Sequence, residues 1–239
     1  MPASALARQR PAPEILPALR TREEIIRRYR HLREISRRIN DGLLKHVPAN
    51  AVIKLARKFG LTDRRTLLLE SMDQMAFLFD LAIYTAPPDR TRPIDRYART
   101  TRFEPGSDEA RVLEAMGHAQ FVLGTIERRH EAAGVIIRDL LREKDVWLVD
   151  EGLERSLADG AALVMRVFTP DEFSVTAGVM MPVDAMILED AFDEVLPRLK
   201  NHTPEEICND RRFAEAIYRS AMEYGVMDYI GFLEVPTAS

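Results

Sequence analysis

"QFVLGTIERRHEAAGVIIRDLLREKDVWLVDEGLERSLADGAALVMRVFTPDEFSVTAGVMM", residues 120–181, decides the fold class. Inside it, "QFVLGTIER", "GVIIRDL", "DVWLVD", "ALVMRVF" and "FSVTAGVMM" are short runs rich in β-branched and aromatic residues. Gly134, Gly152, Gly160 and Pro170 punctuate them, at the spacing of about ten residues that marks successive antiparallel strands. The run reads as a small antiparallel meander, either open or closed into an SH3-like or OB-like barrel. On both sides the apolar period becomes helical. Blocks segregated in this way give an α+β protein and not a parallel α/β sheet.

Upstream, Thr21-Arg22-Glu23-Glu24 is a capping box, so a helix starts near Arg22. Ile25, Tyr29, Leu32, Ile35 and Ile39 form a narrow stripe that runs down to Asn40-Asp41-Gly42, and most of the remainder is arginine. The stripe resembles a coiled-coil seam more than a core face. A second helix is expected over 50–59, ending at Gly60, and a third over 71–84 with apolar residues on most of its faces. "TAPPDRTRPIDRYARTTRFEPGSD" reads as a linker holding at most a turn of helix, followed by a short helix capped at Ser107. Downstream, a helix is expected from Asp184. Another is expected from the Thr203-Pro204-Glu205-Glu206 box to Gly225, and "YIGFLEV" forms a last short strand.

The expected layout is a disordered leader (1–20), a helical region (21–86), a linker with a short helix (87–117), a β-rich region (118–183) and C-terminal helices (184–239). Residues 43–183 and the last region can also be read as one compact domain. No apolar run reaches membrane-spanning length. The single cysteine excludes an intramolecular disulfide framework and favours a cytoplasmic protein.

Net charge is -4, but residues 1–66 carry 16 Lys/Arg against 6 Asp/Glu, and the remainder carries 18 against 32. Such polarity suits either an acidic or nucleic-acid partner, or one half of the protein docking on the other. "LARKFGLTDRRTLLLESM" (55–72) opens like a helix-turn-helix. A recognition helix, however, presents polar side chains to base edges. Here Leu67, Leu68 and Leu69 lead into Met72, Met75, Phe77 and Phe79, and burying such side chains contributes about 1.5–3 kcal/mol each. This segment reads as core.

The five histidines form no HxH, HxxxH or HExxH pattern. No GxGxxG, GxxxxGK[ST] or GxSxG motif occurs either, so no metal, cofactor or catalytic residue is indicated. Glu114 with His118 reads as a solvated pair, and Cys208 as a packed thiol. The stretch marked for function is Gly134–Leu153. Arg138 and Asp139 there are expected to pair across a strand end, Trp147 to bury one face alongside Val149, and Asp150 to open a tight turn.

"IIRDLL", "WLVDEGL", "ALVMRVFTPDEFSVTAG" and "FLFDLAIY" resemble a group of bacterial proteins of unknown function. These share a helical N-terminal half and a C-terminal "RDLL…DxGL…R" segment. The resemblance covers about Leu43 to Val183. It implies a bacterial cytoplasmic origin and a shared fold, and no activity.

Three functions are expected, in order. The first is a non-enzymatic interaction or regulatory adaptor protein that binds another protein or itself, with Arg138, Asp139, Trp147 and Asp150 as its surface. The second is a nucleic-acid-associated protein that uses Arg27, Arg28, Arg30, Arg37 and Arg38. The third is an enzyme whose site is assembled from distant residues, such as His118 with Arg138, Asp139 and Asp150.

Overall fold

The computed structural model describes residues 21–63, 66–69, 71–87, 90–156 and 160–225. The leader and the strand expected in "YIGFLEV" lie outside the described residues.

Most helices begin where a side chain can accept an orphan N–H. Thr21 caps α1 (Arg22–Leu44) with the full reciprocal box, Ser71 caps α3 (Met72–Tyr84), and Ser107 caps α5 (Asp108–Gly117). The helix α2 (Ala49–Lys58) ends in a Gly60 at φ +71, and the Leu61 N–H returns to the Ala56 carbonyl at 2.8 Å. A two-residue hairpin, β1 (Thr62–Asp63) and β2 (Thr66–Leu67), separates α2 from α3. The chain therefore has no helix-turn-helix here. On α3, Phe77, Leu78 and Leu81 are buried, while Leu67 and Leu68 of the hairpin are exposed.

The region read as a linker contains α4 (Pro93–Thr100), two turns long, with proline at its first position. Its Ile94 is fully buried and α4 packs on α1, α3 and α5. The stripe of α1 is not a seam. Ile25, Tyr29, Leu32, Ile35, Ile39 and Leu43 are all buried against α4, α5 and β7, in one cluster with Phe168 and Phe173. Gly42 does not end α1. A Cβ there would meet the Tyr97 hydroxyl at 2.7 Å, so glycine is what lets α4 approach.

Five antiparallel strands form the sheet: β3 (Gln120–Arg129), β4 (Val135–Asp139), β5 (Lys144–Leu148), β6 (Ala162–Phe168) and β7 (Val175–Pro182), in the order β5-β4-β3-β6-β7. The barrel expected from the sequence is not formed, and the sheet is open. It curls far enough for one parallel bridge, Leu148 to Ser174, to join its two edges. The curl buries both faces. Val122, Ile137, Leu163, Met165 and Val167 fill the concave side beside Leu153 of a short helix, α6 (Glu151–Ser156). Phe121, Leu123, Val164, Val179 and Met181 meet the helices on the convex side.

Helices α7 (Ala185–Leu199) and α9 (Arg211–Glu223) lie against each other over that convex side. The Thr203 box opens only α8 (Pro204–Asn209). Asp210 then takes extended backbone angles, and its carboxylate accepts the Arg212 N–H as a new cap. One long helix is thereby split in two.

On the convex side Arg166 of β6 is almost fully buried. Its Nε and Nη2 donate to the two Asp80 oxygens at 2.6 and 2.9 Å, and the Tyr218 hydroxyl donates to the same carboxylate at 2.9 Å. The guanidinium lies between the Tyr84 and Phe121 rings, 5.1 and 5.4 Å from their centroids. One pair thus ties β6 to α3 and α9.

Removing one partner leaves an uncompensated buried charge. Asp80→Ala is therefore expected to cost about 3–5 kcal/mol in urea unfolding. The double variant Asp80→Leu/Arg166→Met should recover most of that loss. A cost below about 1 kcal/mol for Asp80→Ala would show that the pair is not sealed from water.

Candidate functional site

A cavity with largely apolar walls lies where α2, the end of α3, the start of α4 and α9 converge. Its volume is about 490 Å³, within the range of small-ligand pockets. Ala51 and Leu55 of α2, Leu81 and Ala82 of α3, Pro87 and Pro93 line it. These residues are apolar because α2 and α3 pack in the common core, with Ala56 small enough to let them approach.

Around this floor stand Lys54, Lys58, Arg90, Arg96 and Arg211, and among the described residues no carboxylate lines the cavity. Behind the wall the buried Glu215 takes Lys58 and Arg211, each at 3.0 Å. Arg96 is fixed by the Thr91 and His46 carbonyls, both at 2.8 Å. Lys54 and Arg90 reach into solvent. Five cations beside a low-dielectric wall focus positive potential into the cleft. On the other side of Thr85 and Ala86 is a second, more polar cavity of about 580 Å³, which Tyr84 and Arg166 reach.

The stretch marked in the sequence is arranged differently from expectation. Arg138 and Asp139 do not pair. Arg138 reaches Asp145 across the β4–β5 ladder at 3.2 Å, on the surface. Asp139 is fully buried and accepts from Arg142 Nη1 at 2.8 Å and from the backbone of Leu141 and Arg142. Arg142 also binds Glu205, Asn209 and the Phe121 carbonyl, which staples the β4–β5 turn to α8. Trp147 stacks on His130 at 3.9 Å and donates its indole N–H to the Ala133 carbonyl. Val149 is buried in the cluster that Trp147 borders. Asp150 caps α6 and also accepts from Tyr29 and Thr176, so it joins α1, α6 and β7 where a bare turn was expected. Burial, and next the Asp150 charge, pushes the Tyr29 phenol up to about 12. Each of these residues holds the fold together, and they do not converge on one pocket.

The arginines of α1 meet the acidic half of the chain. Arg28 binds Asp108 and Asp171, Arg30 binds Glu151 and Arg22 binds Glu154 at 2.7 Å, and Arg38 reaches Glu109. Arg33 donates to the Thr176 carbonyl at 2.6 Å. Arg27 and Arg37 remain exposed. Asp108 also receives His31 and Arg111. The bonds from Arg28 above all hold its carboxyl far below the usual carboxylate range. Cys208 is buried, and burial pushes its thiol up to about 11, so it is no ready nucleophile.

The residues that build the cleft were not singled out by sequence reasoning. A signal existed for the pair beneath them. Asp80 and Arg166 are lone charges inside "FLFDLAIY" and "ALVMRVF", and a charge that must be buried needs a partner.

A family of unknown function (DUF7986) has a model that matches residues 23–227, a span that includes the whole cleft. No curated protein and no solved structure matches the chain. Among the described residues no helix is long and apolar enough to cross a membrane.

The Asp108 cluster predicts the acid limb of stability. Its carboxyl has a lower pKa folded than unfolded, so its contribution is complete above about pH 4 and is lost as pH falls further. Asp108→Asn is expected to cost roughly 1–3 kcal/mol at neutral pH. It should also flatten the fall of Tm between about pH 4 and pH 2. Thermal scans across that range check it, and an unchanged acid limb would show that the cluster is fully screened.

Proposed function

We propose, for a chain that belongs to this family of unknown function and takes no activity from it, that it works by binding and not by catalysis. It would act as an interaction or regulatory module. Its partner would enter the cleft of α2, α3, α4 and α9. The observation that supports this reading is the cleft's composition, an apolar floor ringed by Lys54, Lys58, Arg90, Arg96 and Arg211 with no carboxylate among the described lining residues. Such a surface selects an acidic segment that also carries apolar side chains. The charges steer and orient it, and the floor takes the apolar groups. The occupant we commit to is therefore an acidic, apolar-flanked segment of another protein. The same reading places the protein in the bacterial cytoplasm, where a single buried thiol needs no oxidising compartment.

The test is fluorescence anisotropy with a labelled peptide in which Glu and Asp flank Leu and Phe, alongside duplex DNA of equal charge. The peptide is expected to bind in a salt-dependent way. Lys54→Glu, which reverses an exposed charge, and Ala51→Trp, which fills the floor, should each weaken it by about tenfold, equivalent to about 1.4 kcal/mol. DNA binding that survives Lys54→Glu but disappears in Arg27→Glu/Arg37→Glu would replace this reading with nucleic-acid association through α1. Absence of binding to either probe would remove the cleft as a docking site.

A further inference from the structure

The second cavity, behind Thr85 and Ala86, contains an unmatched donor. Tyr84 is 5% exposed and lines this cavity, and its buried hydroxyl has no hydrogen-bond partner among the described residues. Its neighbours explain why. The carboxylate nearest in function, Asp80, already accepts two bonds from Arg166 and one from Tyr218. The Tyr84 ring lies under the Arg166 guanidinium, whose Nη1 takes no part in the bonds to Asp80. Burial, with the Asp80 charge next, holds the phenol far above its ordinary ionisation range, so it remains a donor. A buried phenol that keeps its proton and has no partner among the described residues has an O–H free to donate to an acceptor.

The rest of the wall favours a negative one. Arg90 stands exposed at the rim, and Arg92, His118 and Arg211 also line the cavity, with Arg92 held by Asp95 and Arg211 by Glu215. Two carboxylates line it, and both are already neutralised. Asp95 takes two bonds from Arg92, at 2.7 and 2.8 Å, and Asp210 takes two from Arg212. The thiol of Cys208 is protonated and adds no opposing charge. The cavity thus offers a neutral O–H and guanidinium N–H groups, and no uncommitted carboxylate among the described residues.

We propose that this cavity is an oxyanion site. The Tyr84 hydroxyl and Arg166 Nη1 would hold one oxygen of a phosphate monoester or a carboxylate, and Arg90 would balance its charge from the rim. Both ligand types share the chemistry the wall recognises, an anionic oxygen that accepts two or three directed bonds. At about 580 Å³ the cavity has room for the body of a small metabolite behind the anionic group. The site is separate from the docking cleft. The two share Thr85, Ala86, Arg90 and Arg211 in their linings, and Tyr84 and Arg166 line only this one.

The experiment is calorimetric and thermal-shift titration of the full chain with inorganic phosphate and, separately, with acetate, against chloride at matched ionic strength. Saturable binding of one or both is expected, and the tighter of the two identifies the head group. Tyr84→Phe removes a hydroxyl with no protein partner, so it should keep or raise Tm without ligand. It should weaken anion binding about tenfold, the effect of losing one hydrogen bond to a charged group. Arg90→Gln, at an exposed position, should weaken binding by a similar factor. Ala51→Trp, which blocks the docking cleft, should leave it unchanged. Anion binding that persists in Ala51→Trp supports this site even if the peptide reading fails. Two results would overturn it: no binding beyond that of chloride, or unchanged binding in both Tyr84→Phe and Arg90→Gln.

Discussion

Everything on the convex side of the sheet is arranged around the ion pair between Asp80 and Arg166. Taking both charges out of water costs several kcal/mol per ion, and the pair offsets this only because its geometry is close to ideal and Tyr218 adds a third bond. What the pair contributes beyond energy is register. Along β6, Leu163, Met165 and Val167 face the concave interior, while Val164, Arg166 and Phe168 face the helices. A slip of one residue would drive the guanidinium into the dry concave side and turn Met165 toward Asp80. The pair therefore penalises the most accessible misfold of a sheet whose two faces are both apolar and whose binary pattern alone chooses weakly between them.

The parts of the fold legible in the sequence are those governed by local chemistry. Thr21, Ser71, Ser107, Asp184 and Thr203 each cap the helix that their side chains announce. The five β runs became five strands because branched residues between turns have few alternatives. The misses are non-local. In α4 only Ile94 and Tyr97 mark an inner face, and what makes it a helix is the seat that α1 and Gly42 provide. The break at Asp210 depends on a side chain choosing to cap α9 when it had equal standing inside one long helix. Barrel closure depends on strand tilt and curl, which run lengths do not encode.

The charge asymmetry shows the same boundary between local and global information. Composition shows a basic first quarter and an acidic remainder, but cannot say whether the two meet inside the molecule. The structure brings Arg22, Arg28, Arg30 and Arg38 onto Glu154, Asp108, Asp171, Glu151 and Glu109. Much of the apparent affinity of α1 for an external polyanion is thus satisfied within the chain. The residues marked between Arg138 and Asp150 went the same way. They stood out because charges and an indole among apolar residues need specific neighbours, and the fold supplies those neighbours at separate joints.

That self-neutralisation is what makes the cleft informative. The chain carries more acidic than basic residues overall, so an unbiased surface patch should lean negative. Elsewhere Arg22, Arg28, Arg30 and Arg38 of α1, Arg142 of the β4–β5 turn and Arg166 of β6 are matched to carboxylates at hydrogen-bond distance. Around the α2–α4 cleft five cations gather with no carboxylate among the described lining residues, and Glu215 is set behind the wall and shared between Lys58 and Arg211. Holding like charges together in this way opposes folding. A sequence with so many acidic residues to spare had the means to pair them all. Around the cleft Lys54 and Arg90 face solvent, and the Tyr84 hydroxyl, without a partner among the described residues, lies in the neighbouring cavity. The charged rim and this hydroxyl therefore fall in one region, and both suit the same thing, an acceptor brought from outside the chain.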